Sequence, residues 1–144
     1  MKKNKKKVLF LCTYNSARSQ IAEGLLDTYF RYKYESFSAG IKPTSINPYA
    51  VEVMKEIGID ISNHYSKSIN EFKDKKFDYV VTVCNNAKES CPFFPGKKII
   101  HKGFDDPTKI VGDIEEILNY FKKIRDEIKD WIFKNFGNIK YEYK

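Results

Sequence analysis

The segment Cys12-Thr13-Tyr14-Asn15-Ser16-Ala17-Arg18-Ser19 sets a thiol six positions before a guanidinium, with hydroxyl and amide side chains between and after them. Cysteine reacts as the thiolate, and a guanidinium binds two oxygens of a tetrahedral anion through its planar fork. In a turn leading from a buried strand into a helix, such a segment can face its backbone N–H groups inward as a nest. The helix N-terminus then adds partial positive charge. The same field favours a thiolate, so Cys12 is expected to be the nucleophile and Arg18 the clamp on an oxyanion. Thr13, Ser16 and Ser19 bring hydroxyls; Ser19 is the expected donor to the Cys12 sulfur and Asn15 the expected brace of the loop. A buried strand-end cysteine without chemistry is the plainer reading of Cys12 alone, and the arginine and serine at this spacing argue against it.

Other reactive groups lie far off in the chain: Cys84, Cys91, and the pair Asp105-Asp106 before Pro107. Stable structural disulfides are uncommon in reducing compartments, so three cysteines are core residues, metal ligands or redox groups. No Cys-x2-Cys pair occurs and only His64 and His101 are available to help, so no metal site is expected. An Asp before Pro also commonly starts a turn.

These groups need elements to carry them. Lys6 to Cys12 reads as a buried strand, and Ile21, Ala22, Leu25, Leu26 and Tyr29 give one apolar face to a helix from about Ala17 to Arg31. Tyr32 to Ser38 reads as a second strand stopped by Ser38-Ala39-Gly40. Asn47, Pro48 and Gly58 then punctuate a second helix as N-cap, first position and stop. Ser68 to Glu71 has capping-box spacing, Phe77 to Val83 is a third strand ending at Cys84, and Lys98 to His101 is a fourth. The spacing from Ile114 to Ile132 predicts a terminal helix over about Asp113 to Asn135. Alternating strands and helices imply a parallel sheet with right-handed crossovers and helices on both faces, and ligands then bind beyond the carboxyl ends of the strands. Cys12, Cys84 and Asp106 all fall at that edge.

The 144 residues suit one domain, expected to span 1–144 with 1–6 as a disordered basic tail and 138–144 as a frayed end. The net charge of +7 falls to +2 without the five lysines among the first seven residues, so the charge reads as a solvated tail and nucleic-acid binding is not expected. No apolar run approaches the roughly 18 residues of a membrane span and no signal peptide is visible, so a cytoplasmic monomer without membrane contact is expected.

The stretch Val8 to Gly24, VLFLCTYNSARSQIAEG, resembles the phosphate-binding loop and first helix of the low-molecular-weight protein tyrosine phosphatases and the arsenate reductases of that superfamily. The resemblance extends through Ser38-Ala39-Gly40, Val80 to Cys84, His101 to Pro107 and Arg125 to Ile128, nearly the whole chain. It implies an α/β, three-layer αβα fold on a four-stranded parallel sheet. It also implies Cys12 as nucleophile, Arg18 as oxyanion clamp and Asp106, with Asp105 second, as proton donor to the leaving oxygen. Thr13, Tyr14, Asn15, Ser16 and Ala17 would complete the oxyanion-binding loop, with arsenate as substrate and phosphate or sulfate as analogues.

Cys84 and Cys91, the latter followed by Pro92, resemble the redox pair of the thioredoxin-coupled arsenate reductases. The implied relay has Cys12 attack arsenate, Cys84 attack Cys12 to release arsenite, and Cys91 attack Cys84. A Cys84–Cys91 disulfide is left for thioredoxin, with glutaredoxin or a small thiol as other possible reductants. A continuous helix from 84 to 91 would hold the two Cα atoms about 10 Å apart, beyond the roughly 7 Å that a disulfide spans. Asn85 to Pro95 is therefore expected to be mobile or partly unwound.

Some relatives bind potassium beside the loop through equivalents of Asn15 and Glu23 with Thr and Asp, where this chain has Tyr65 and Lys67. The lysine ammonium is expected to replace the cation, so neither a potassium requirement nor any tightly bound cofactor is expected. Tyr14 stands where Gly is frequent and Ala17 where Cys is. Thr108-Lys109 follow Asp-Pro where the phosphatases carry aromatics, which weakens a phosphotyrosine substrate. A tyrosine phosphatase with protective cysteines and a non-catalytic oxyanion-binding module are the alternatives.

Overall fold

Val8 to Leu11 carry no solvent exposure on either face, as a strand at the centre of a parallel sheet requires. They belong to β1 (Lys6–Cys12), flanked by β2 (Tyr34–Gly40) on one side and β3 (Tyr79–Thr82) on the other, with β4 (Lys98–His101) outermost. All pairings are parallel, in the order β2-β1-β3-β4. The structure, a computed structural model, describes residues 5–85 and 93–137. The expected tail at 138–144 and most of the expected mobile segment, residues 86–92, lie outside these, as do residues 1–4.

Two expected boundaries move, both because pairing rather than composition sets them. Lys6, counted both in the expected tail and as the start of the expected strand, pairs with Tyr34 and starts β1. Ser38-Ala39-Gly40, read as a stop, continues β2 so that Gly40 lies opposite Cys12. Glycine is required there: a Cβ would stand 2.7 Å from Thr13 O, 2.8 Å from Asn15 N and 2.9 Å from Cys12 O. The last pair of the ladder thus brings β2 against the backbone of the reactive loop.

Alternate residues of β1 point to opposite faces. Val8, Phe10 and Cys12 pack with the buried sides of α1 (Arg18–Tyr29), α2 (Pro48–Glu56) and α3 (Ile114–Phe136). Leu9 and Leu11 meet Phe77, Val80 and Phe94 on the other face, and Phe37 and Phe72 close that side. Rings 37, 72 and 77 meet edge to face with centroids 5.4–5.9 Å apart. Among the described residues this second layer is the 3₁₀ turn Ile69–Phe72 and aromatic loops, not α-helix. Ser68 caps the turn by accepting from Asn70 N at 3.1 Å.

Both later helices carry side-chain caps. Asn47 Oδ1 accepts from Tyr49 N at 2.8 Å with Pro48 in the first turn, as the sequence implies. Asp113 and Glu116 form a reciprocal capping box, each accepting from the other's backbone N–H. Between them Arg125, nearly buried on α3, donates to Val53 O at 2.9 Å and Glu56 Oε1 at 2.8 Å and so pins α2. No described helix is long and apolar enough to cross a membrane.

Candidate active site

The chain leaves β1 toward β2 on one side and later returns to β3 on the other, so strand order reverses at β1. The carboxyl end of β1 is therefore the switch point at which open α/β sheets bind ligands. Cys12 occupies that end and Arg18 opens α1, leaving five residues for the turn.

Each carbonyl of these five residues is engaged away from the turn's interior. Thr13 O accepts from Lys42 N at 2.9 Å, Ser16 O from Asn47 N at 2.9 Å and Ala17 O from Ile21 N at 2.8 Å. Tyr14 O accepts from Ser66 Oγ at 2.7 Å and Asn15 O from Gln20 Nε2 at 3.1 Å. No described peptide is cis, and in a trans peptide the N–H points opposite to the carbonyl. Outward carbonyls from Thr13 to Ala17 therefore turn the N–H groups of residues 14–18 inward. Asn15 makes the curvature with φ of 52°, a left-handed conformation that asparagine tolerates. The turn is a nest held open from outside.

At its floor Cys12 is a free thiol, 2% exposed, with Sγ 2.9 Å from Ser19 Oγ. Asn15 Nδ2 donates to that same Ser19 oxygen at 2.7 Å, which leaves the hydroxyl proton for the sulfur. Ser19, the expected donor, thus lies at the Cys12 sulfur, and Asn15, the expected brace, is bonded within the loop. Arg18, also 2% exposed, is aimed by a 3.0 Å bond from Nη1 to Phe104 O, and its Nη2 lies 3.5 Å from Asp106 Oδ2. Cys12, Tyr14, Ser16, Ala17, Arg18 and Asp106 line a single cup of about 330 Å³.

Other expected residues fall around it. Thr13 borders a neighbouring cavity of about 710 Å³, from which Tyr14 and Asp106 separate the cup. Asp105 also faces that cavity, its Oδ1 accepting from Asn85 Nδ2 at 2.9 Å, so of the two aspartates Asp106 is the one beside Arg18. The N-terminus of α1 has no side-chain cap and no acidic residue in its first turn.

Cys84 follows β3. Val83 N donates to Leu11 O at 2.8 Å, extending the ladder one step past Thr82, so that Val83 lies level with Cys12 and Cys84, fully buried, follows one residue further on beside the start of the loop. Cys91 lies outside the described residues, and with it the expected Cys84–Cys91 pair.

Behind the loop lies a layer that motif spacing does not reveal. Gln20, fully buried, donates through Nε2 to Asn15 Oδ1 at 2.9 Å and Tyr65 O at 2.9 Å, while its Oε1 accepts from His64 Nδ1 at 3.0 Å. Lys67 N donates to Asn15 Oδ1 at 2.8 Å. The Lys67 ammonium reaches Tyr65 O at 2.8 Å, lies 3.9 Å from Glu23 Oε1 and sits over the Tyr65 ring. Burial pushes its pKa down, opposed by the charges of Glu23 and Glu71. Ser38 Oγ donates to Glu23 Oε1 at 2.5 Å. A cation is thus already present where Asn15 and Glu23 converge. Of this layer, Gln20 and Ser66 escaped the sequence reading; their only signal is a polar residue at a helix position or strand approach facing inward.

Residues 7–143 match the low molecular weight phosphotyrosine protein phosphatase family. An arsenate reductase of Halalkalibacterium halodurans is 48% identical over 126 residues, covering 87% of this chain and 91% of that one. Among solved structures, an arsenate reductase in its reduced state superposes with a TM-score of 0.75 at 29% identity, covering 93% of this chain and 98% of the other. A thioredoxin-dependent arsenate reductase of Corynebacterium glutamicum superposes with a TM-score of 0.58 at 28% identity, covering 92% of this chain and 64% of the other. With its nest, its thiol and its four-stranded sheet, the chain belongs to the low molecular weight phosphotyrosine protein phosphatase family.

Proposed function

We propose that this protein reduces arsenate to arsenite. The observation that carries the reading is the free Cys12 thiol at the floor of an anion cup, with Cys84 buried just past the carboxyl end of the neighbouring strand, one residue beyond the level of Cys12. The 48% identity to an arsenate reductase supports the substrate. In the first step the Cys12 thiolate attacks arsenic and an oxygen leaves as water, Asp106 giving it a proton because hydroxide departs poorly. Arg18 and the N–H groups of residues 14–18 hold the remaining oxygens. The Cys84 thiolate then attacks Cys12 Sγ: an S–S bond forms, the S–As bond breaks, and its electron pair stays with arsenic, taking it from As(V) to As(III). Cys91 attacks Cys84 in turn and frees Cys12 as thiolate, and the dithiol of thioredoxin reduces the Cys84–Cys91 disulfide. Thioredoxin as donor draws support from the Corynebacterium glutamicum relative.

The test is arsenate-dependent NADPH oxidation in the presence of thioredoxin and its reductase, run beside hydrolysis of an aryl phosphate. Cys12→Ser is expected to abolish both. Cys84→Ser and Cys91→Ser should abolish coupled reduction and spare the hydrolysis. Reduction that survived both substitutions would sink the relay.

A second reading has its own observation. The cavity of about 710 Å³ beside the cup is walled in part by Tyr14, Ile41, Ile110 and Tyr120, space for an aryl group on the leaving oxygen. Slow phosphomonoester hydrolysis through a Cys12 phosphoenzyme is the activity this would support.

The residues behind the loop do not fit a bound potassium ion, because the Lys67 ammonium lies between Tyr65 O and Glu23. Replacing sodium by potassium is therefore expected to leave both melting temperature and reductase rate unchanged; a clear rise in either would refute it.

A further inference from the structure

The two oxygens of Asp106 are held differently. Its Oδ1 accepts from Thr108 N at 3.0 Å and from Thr108 Oγ1 at 2.7 Å, while its Oδ2 faces Arg18 Nη2 at 3.5 Å and the cup. The first of these bonds is ordinary: Asp106 precedes the 3₁₀ turn Pro107–Lys109, and an aspartate there accepts from the backbone two residues on. The second is not, since it needs a hydroxyl at 108. A carboxyl group turns about its last bond in a broad, nearly two-fold well, so a single bond leaves its oxygens able to exchange places. Two donors converging on Oδ1 oppose that exchange.

They also choose where a proton sits. A proton on Oδ1 would face two close donors of Thr108, at 3.0 and 2.7 Å, whereas Oδ2 meets only the longer 3.5 Å approach of Arg18 Nη2, so a proton there is left to point into the cup toward the oxygen that must leave. We infer that Thr108 is a positioning residue of the reaction: its hydroxyl and N–H fix Asp106 with Oδ2 as the proton-bearing oxygen. Proton transfer then runs from Asp106 Oδ2 to the departing oxygen as the S–As bond forms, and Asp106 is left as carboxylate still held by Thr108. The sequence Asp-Pro-Thr thereby does by hydrogen bonding what side-chain packing on Asp106 would otherwise have to do.

The inference rests on Asp106 as proton donor, and the experiment separates the two claims. Arsenite formation is followed in a single turnover, which removes thioredoxin recycling from the rate, for wild type, T108V, T108S, D106N and the double variant D106N/T108V. D106N is expected to be slowed about 10²-fold or more, as loss of a general acid entails. T108V should be slowed roughly five- to twentyfold, with the arsenate concentration at half-maximal rate changed less than about twofold, because the group acts on the transition state rather than on binding. T108S should return to near the wild-type rate. In the D106N background T108V should cost nothing further, since residues acting through one group are not additive. A merely structural cap would lower the melting temperature and slow both backgrounds alike, which overturns the inference, as does a T108V rate equal to wild type. Wild-type speed in D106N removes the proton donor itself. If T108V does not fold, T108A enters the same cycle.

Discussion

Two helices of this protein begin in opposite ways. The N-terminus of α3 is closed by Asp113 and Glu116, with Glu115 adding a second negative charge to the first turn. The N-terminus of α1 begins at Ala17, with neither a side-chain cap nor an acid. Each helix start presents N–H groups and about half a positive charge, for which the chain normally supplies an acceptor. At α3 it does so from its own sequence. At α1 it supplies Cys12, Arg18 and an inward-facing backbone instead, so on the proposed reading the acceptor is the substrate. A helix whose cap is missing from the sequence is one whose cap arrives from solution.

Substitutions at the two ends should separate accordingly. The largest effect is expected for Arg18→Lys, which keeps the charge but loses the fork. Removal of one oxyanion donor typically costs about 10² to 10³ in rate, and arsenate reduction measured at saturating thioredoxin should fall by that much. Next comes Ala17→Asp, which gives α1 the cap it lacks. A second negative charge about 4 Å from the anion, at an effective dielectric near 20, repels by a few kcal/mol. Arsenate turnover should therefore drop about tenfold to hundredfold in kcat/KM, while the melting temperature without oxyanion holds or rises. A variant that kept wild-type kcat/KM would break the comparison. Phosphate should raise the wild-type melting temperature, by about 2.7 kcal/mol of stability at a hundred times its Kd, and leave A17D nearly unmoved. The smallest effect is expected for Asp113→Ala, which should cost about 1 kcal/mol in denaturant unfolding with kcat unchanged.

What the sequence displayed and what it concealed follow the same division. Cys12, Asn15, Arg18 and Ser19 lie within eight residues, so their chemistry could be read as a pattern, and the apolar run of β1 with the punctuation at Asn47 and Gly58 placed the elements. The donors that hold the loop open are different in kind. Lys42 and Asn47 act through backbone N–H groups, which every residue but proline possesses, so no residue type announces them. Ser66 and Gln20 act through side chains, but from positions fixed only once β2 and α1 have packed. The continuation of β2 through Gly40 was missed for a related reason: small residues resemble a stop until the neighbouring backbone that excludes a Cβ is in view. In the sequence Thr108 stands out only as the residue in place of an aromatic, and its two bonds to Asp106 emerge from the turn geometry.

The cup recognises by backbone amides and one guanidinium, groups that register charge and tetrahedral shape. Phosphate offers both. On the proposed reading the nest would admit phosphate as well as arsenate, and discrimination would come after binding, at the thiol. Sulfur bonded to arsenic can be drawn away with the electron pair left behind, because As(III) is an accessible product; a phosphorus centre offers no such exit and the adduct can only hydrolyse. On the proposed relay the protein would be a kinetic filter whose throughput depends on the ratio of the two anions, and a rise in phosphate would throttle arsenate reduction without any change in the enzyme.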